Sequence, residues 1–194
     1  MQEALTQQDC PKAKNALWDL LWRVRLSGLY HLKRERFLDG VEKAAKGVSA
    51  LGGAAAFSQI RAEPGIGLWI TAIITIVSTV SLVYGPSAKA RKHSELARDH
   101  KRLEADIVGA GTDLTMEQIV KYDAQFLKIE SSEPAALGAL VTQCHNELSV
   151  AIGQRDQVTR LPLLQRAFKN WFDFDQSLGM HVEPPKLAVA TPTS

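Results

Sequence analysis

The 194-residue chain carries 23 Lys and Arg against 21 Asp and Glu, a net charge of +2, and is 45% hydrophobic. The near-balance hides a gradient, net positive up to Lys46 and from Lys89 to Thr112 and net negative from Asp113 onward; no reading motif or aromatic platform accompanies the basic part, which argues against a nucleic-acid partner. No charged region followed by an apolar core opens the chain, so a cleaved signal peptide is not expected, and Cys10 and Cys144 should be free thiols in a reducing compartment.

Lys14 to Lys46 reads as one long helix, or two joined near Gly28, because Leu17, Leu21, Val24 and Gly28 recur at helical spacing and Pro11 fits a start. Arg23, Arg25, Lys33, Arg34 and Arg36 crowd its middle, partly neutralised by Glu35, Asp39 and Glu42. Topology and attraction to anionic headgroups account for such a basic stretch; contact with a phosphate-bearing ligand is the sharper reading.

Two apolar segments follow. Pro64 to Ala88 runs 25 residues without a charged side chain, enough for one helix to cross the roughly 30 Å hydrocarbon core of a bilayer. Ten Leu, Ile or Val residues between Ile66 and Val83 contribute roughly −3 to −6 kcal/mol of insertion free energy. Trp69 and Tyr84 sit near the ends of the run, at the headgroup level such rings prefer, and Lys89, Arg91 and Lys92 follow directly. The upstream segment, Gly47 to Ile60, is weaker. Its charge-free part spans roughly 21 Å and Lys43 to Arg61 roughly 27 Å at ~1.5 Å per residue, so it crosses only if its end groups snorkel. Small residues paired four apart, Ser49 with Gly53, Ala50 with Ala54 and Gly52 with Ala56, suit it to a partner helix. Joined by Arg61-Ala62-Glu63-Pro64-Gly65, the segments are expected to form a transmembrane hairpin. Nine basic residues precede it and six follow closely, against Arg61 alone in the link, which places both termini in the cytoplasm.

In the second segment Thr71, Thr75, Ser78 and Thr79 share one helix face, extended by Gly67 and Gly85. Hydroxyls bonding across the hairpin or to their own backbone explain this face; a water-lined pore built from several copies is the sharper account. With no ionisable group there, a proton relay is disfavoured.

From Ala88 to Val108, His93, Leu96, His100, Leu103 and Ile107 form a seam that can pack on a second copy or against the first helix. The spacing offers no further metal ligands, so both histidines are expected to be structural and no metal site is assigned. Gly109-Ala110-Gly111 breaks the chain, and Thr112 or Thr115 can cap a helix over Met116–Ile129, with Glu117 or Gln118 completing a capping box. A helix over Ala135–Ile152 follows, striped by Leu137, Leu140, Val141, Cys144 and Leu148. Leu161 to Phe174, rich in large apolar groups, should close this small bundle rather than lie on the membrane, and from His181 the composition reads as a disordered tail.

Glycine-rich phosphate loops, zinc-finger cysteine pairs and a Gly-x-Ser-x-Gly elbow are all missing from the sequence, and Cys144 and His145, adjacent on a helix, point about 100° apart. A non-enzymatic protein without cofactors is therefore expected.

The order of a basic helix with Arg23, Arg25, Tyr30-His31, Arg34 and Phe37, two apolar helices, a Lys/Arg/His helix with Ala97 and Leu103, and Glu133-Pro134 before Cys144-His145-Asn146-Glu147-Leu148 resembles the SLATT family of small bacterial two-transmembrane-helix proteins. The resemblance covers roughly residues 15–170. It implies a pore-forming effector of nucleotide-signalled antiphage defence in the bacterial inner membrane, a homo-oligomer gated from the cytosol. The expected fold is thus all-α: a basic cytosolic helix over 1–42, a transmembrane hairpin over 43–88, a cytosolic stalk and bundle over 89–178 and a tail over 179–194. Gly52 and Gly53 would serve helix contact, Thr71, Thr75 and Ser78 would line or brace a lumen, and Arg23, Arg25, Arg34 and Arg36 are the candidates for a cyclic nucleotide or other anionic ligand. A non-permeabilising anchor that docks a cytosolic partner is the competing reading.

Overall fold

A computed structural model describes residues 2–62 and 64–174. Every regular element among them is helical: α1 (Gln2–Ala62), α2 (Pro64–Tyr84), α3 (Pro86–Gly109), α4 (Met116–Glu130), α5 (Gly138–Ala151), a 3-10 turn (Arg155–Gln157) and α6 (Leu163–Phe168). They form two compact units, one of Met1–His31 with Leu96–Ser194 and one of Leu32–Glu95. The predicted tail and the side chain of Cys10 lie outside what is described.

In the first unit, the apolar stripe of α1 (Leu17, Leu20, Val24) packs with Leu103 and Ile107 of α3 and with Leu114, Ile119 and Phe126 in and before α4. Of the two partners open to the α3 seam, then, the described contacts realise α1. Gly28 marks no joint. Helix α1 runs straight through it, and a Cβ there would stand 3.4 Å from the Cβ of His100, so the glycine's role is close approach of α3. Pro11 likewise lies inside α1 rather than at its start, at the loss of one i→i−4 hydrogen bond.

The break after α3 turns at Gly111, whose φ of +94° suits a residue without a Cβ. Thr115 then caps α4 in a complete capping box: its Oγ1 accepts from the Gln118 N–H at 3.3 Å, and Gln118 Oε1 accepts from the Thr115 N–H at 2.9 Å. Helix α5 begins at Gly138, three residues after the expected start. Tertiary partners take its first donors, the Leu137 N–H donating to the Tyr30 hydroxyl at 3.1 Å and the Gly138 N–H to Asp173 Oδ1 at 3.2 Å. The Cys144–Leu148 motif is structural in this unit. Cys144 is buried, forms no disulfide and packs with Tyr30 and Leu140, His145 meets Trp22 edge-on at 5.3 Å, and Asn146 exchanges two hydrogen bonds with the Thr159 backbone. The C-terminal segment departs from its expected place in the bundle. Leu163 and Leu164 of α6 are 82% and 70% exposed, and Phe168, Trp171 and Phe172 also face outward; six helical residues are too few to hold an apolar face inward.

In the second unit, residues 49–52 of α1 lie against α2. Ser49 Oγ is 2.9 Å from Ser78 Oγ, and Gly52 faces Ile74, so the pairing runs antiparallel. At Gly85, φ +61°, the chain passes from α2 into α3 in a conformation that disfavours any side chain.

Candidate functional site

Two features carry chemistry or contact potential, one in each unit. The first is a buried His–Glu–His cluster. His31 comes from α1, His100 from α3 and Glu133 from the α4–α5 connection. The histidines are 0% and 1% exposed, and their rings stack nearly parallel, 8° apart with centroids at 5.7 Å. His100 Nε2 hydrogen-bonds Glu133 Oε1 at 2.6 Å, and His31 Nε2 lies 3.2 Å from the same oxygen. Tyr30 packs edge-on against His31 and Phe126 tilts over His100. Burial alone would raise the Glu133 pKa, but the hydrogen bonds and positive charge offered by His100 and His31 outweigh it and hold the carboxyl at about 2. The carboxylate is therefore ionised wherever the protein is folded near neutrality.

Sequence reasoning placed His100 in a packing seam without its partners, because His31 and Glu133 stand 69 and 33 positions away along the chain. A titratable residue in an apolar stripe was the available signal, and only the packing of α1 on α3 supplies the rest. The three donor atoms lie within 4.8 Å of one another, and among the described residues this is the group that could hold a metal ion.

The second feature is the outer surface of α2. The stretch opening at Gly65 is long and apolar enough to cross a membrane, and only 6% of its most apolar window is buried. Leu68, Trp69, Ile73, Ile76, Val80, Leu82 and Val83 all face outward. Three of its hydroxyls are engaged within the chain: Thr71 donates to the Gly67 carbonyl at 2.9 Å, Thr75 to the Thr71 carbonyl at 2.8 Å, and Ser78 pairs with Ser49. The two glycines singled out by sequence differ. A Cβ at Gly52 would stand 2.8 Å from Ile74 Cγ1 and Cδ1, whereas Gly53 meets nothing within 4 Å. Gly52→Leu should therefore separate α1 from α2 while Gly53→Leu leaves their contact intact. Cross-linking between cysteines placed at 49 and 78 reads this directly; equal yields in both variants would refute the packing assigned to Gly52.

The four arginines proposed for an anionic ligand are not assembled into one site within either unit. Arg23 pairs with Asp123 of α4 at 2.5 Å and stacks over Phe126, while Arg25 pairs with Glu104 of α3 at 2.7 Å, so the two point to different neighbours. Glu104 is shifted below the usual carboxylate range, burial opposing and its bonds with Lys101 and Arg25 prevailing. In the second unit Arg34 is buried beside Phe37 and Arg36 is exposed. A cavity of about 980 Å³ in that unit is lined instead by Lys46, Arg91 and Lys92 with Glu42 and Glu95. Lys46 stands apart from Arg91 and Lys92 in the sequence, and the folding back of α2 and α3 is what gathers them.

No family model, curated protein or solved structure matches this chain.

Proposed function

We propose that this protein is a membrane effector of the SLATT type. The segment around Gly47–Ile60 and α2 insert as a hairpin, copies assemble in the inner membrane, and the assembly permeabilises it under control of the helices on the cytoplasmic side. The observation that carries this reading is the α2 surface: a 21-residue apolar helix with its large side chains turned outward has hydrocarbon, not water, as its natural solvent. Gly53, open on its outer side, supports close approach of a second hairpin, the small-residue contact that drives helix association in lipid. Control by an anionic nucleotide is part of the proposal. Arg36 is exposed, and the Arg23–Asp123 pair, with side chains 42% and 37% exposed, is the kind of surface ion pair worth only ~0–1 kcal/mol, so a phosphate could replace the carboxylate at small cost.

A second reading, a non-permeabilising anchor that docks a partner, is favoured by the hydroxyls of Thr71, Thr75 and Ser78, which bond within the chain and need no water-filled lumen.

Induction in bacteria with a voltage-sensitive dye separates the two. The effector reading predicts rapid depolarisation by the wild type and its loss in Gly53→Leu at equal membrane content. A steady potential in both, with and without a panel of cyclic nucleotides, would count against the effector reading and favour the anchor.

A further inference from the structure

We propose that His31, His100 and Glu133 form a binding site for a divalent first-row transition metal ion, with Zn²⁺ the best-fitting member of the class. Two imidazoles and one carboxylate are the donor set that borderline ions such as Zn²⁺ and Fe²⁺ prefer, whereas Mg²⁺ and Ca²⁺ favour oxygen throughout.

The geometry is close to what such an ion requires. Ligands at ~2.0–2.1 Å from a tetrahedral zinc lie roughly 3.3 Å from one another. His31 Nε2 is already 3.2 Å from Glu133 Oε1, and the three donor atoms lie within 4.8 Å of one another. His100 Nε2, at 2.6 Å from the same oxygen, would withdraw by roughly 0.7 Å as its hydrogen bond is replaced by a metal bond. On binding, each histidine presents an Nε2 lone pair to the ion and carries its proton on Nδ1, so any proton shared with Glu133 leaves to solvent. A route exists for this exchange: the histidine side chains are sealed, while that of Glu133 is 16% exposed.

Three protein donors leave at least one coordination position for water, the pattern of an exchangeable site rather than a closed structural one. The site would also act as a staple. It joins α1, α3 and the α4–α5 connection, segments that meet nowhere along the chain, so occupancy adds its binding free energy to the stability of that unit. A bare hydrogen-bonded triad stabilises the unit by an amount that does not depend on metal concentration. This inference is independent of whether the membrane portion forms a pore.

The test uses the full chain in detergent, produced without a histidine tag. Elemental analysis after dialysis is expected to find about one first-row metal ion per chain, and chelation followed by Zn²⁺ should lower and then restore the melting temperature by roughly 5–10 °C. His100→Asn and Glu133→Gln should each weaken Zn²⁺ binding at least tenfold, while His93→Asn and His145→Asn, outside the cluster, should leave it unchanged. Co²⁺ added to the apo wild type should give the visible absorption bands of a low-coordinate site, a readout that does not depend on the variants folding. Absence of both metal and Co²⁺ bands in the wild type, or binding equal in wild type, His100→Asn and Glu133→Gln, would overturn the site and leave a hydrogen-bonded triad or adventitious surface binding.

Discussion

Glu133→Ala is expected to lower the stability of the unit holding the cluster by about 3 kcal/mol near neutrality with chelator present, enough to reduce its melting temperature by roughly 10 °C. The substitution removes the carboxylate that faces two imidazoles exposed by 0% and 1%. A pH series gives the same interaction a distinct signature. The Glu133 carboxyl is lowered from 4.5 to about 2, so its contribution is fully present above pH 4.5 and is lost as pH falls toward 2. A shift of that size corresponds to about 3 kcal/mol at most, a figure the slight exposure of the side chain reduces only modestly. Wild type should therefore lose more stability than Glu133→Ala between pH 4.5 and 2, and the two curves should converge at the acidic end. Parallel curves across that window would show that the carboxylate makes no net contribution, and the cluster would then be incidental packing.

Ile73→Arg is expected to prevent stable membrane insertion. Ile73 lies near the middle of α2 and faces outward. Exchanging an aliphatic group for a guanidinium at the centre of a spanning helix costs about 3–4 kcal/mol, comparable to the whole favourable insertion energy of the segment. Snorkelling cannot rescue it from mid-helix, since the headgroup level is roughly 15 Å away. The wild type should resist alkaline carbonate extraction and the variant should be released or degraded. Retention of the variant in extracted membranes would mean that α2 does not lie in hydrocarbon, and the effector and anchor proposals would both fall. Arg at Ser87, beyond the end of α2, serves as the control and should leave extraction unchanged.

Much of the molecule is written in short-range pattern. The apolar run behind α2, the Gly109–Gly111 break and the Thr115–Gln118 capping box each depend on residues within one or a few helical turns, so spacing and residue type alone were enough to place them. Gly28 shows the limit. Its flexibility reads locally as a joint, but its use is steric, because α3 passes there at van der Waals distance. The start of α5 moved for a similar reason. The Pro134 signal is local, whereas the Tyr30 hydroxyl and Asp173 that satisfy the first helical donors lie far away in sequence. At α6 the apolar content was legible but its burial was not, since burial needs a partner surface and none covers Leu163 or Leu164 among the described residues.

The sequence by itself determined an all-helical chain with one helix apolar enough for a bilayer, because hydropathy and helical period are properties of consecutive residues. Only the tertiary structure decided that His31, His100 and Glu133 meet, that Gly52 rather than Gly53 is enclosed, and that Arg23 and Arg25 already hold carboxylates. Each of these depends on which faces of separate helices come together, and residue spacing within one helix fixes a face without specifying what lies opposite it.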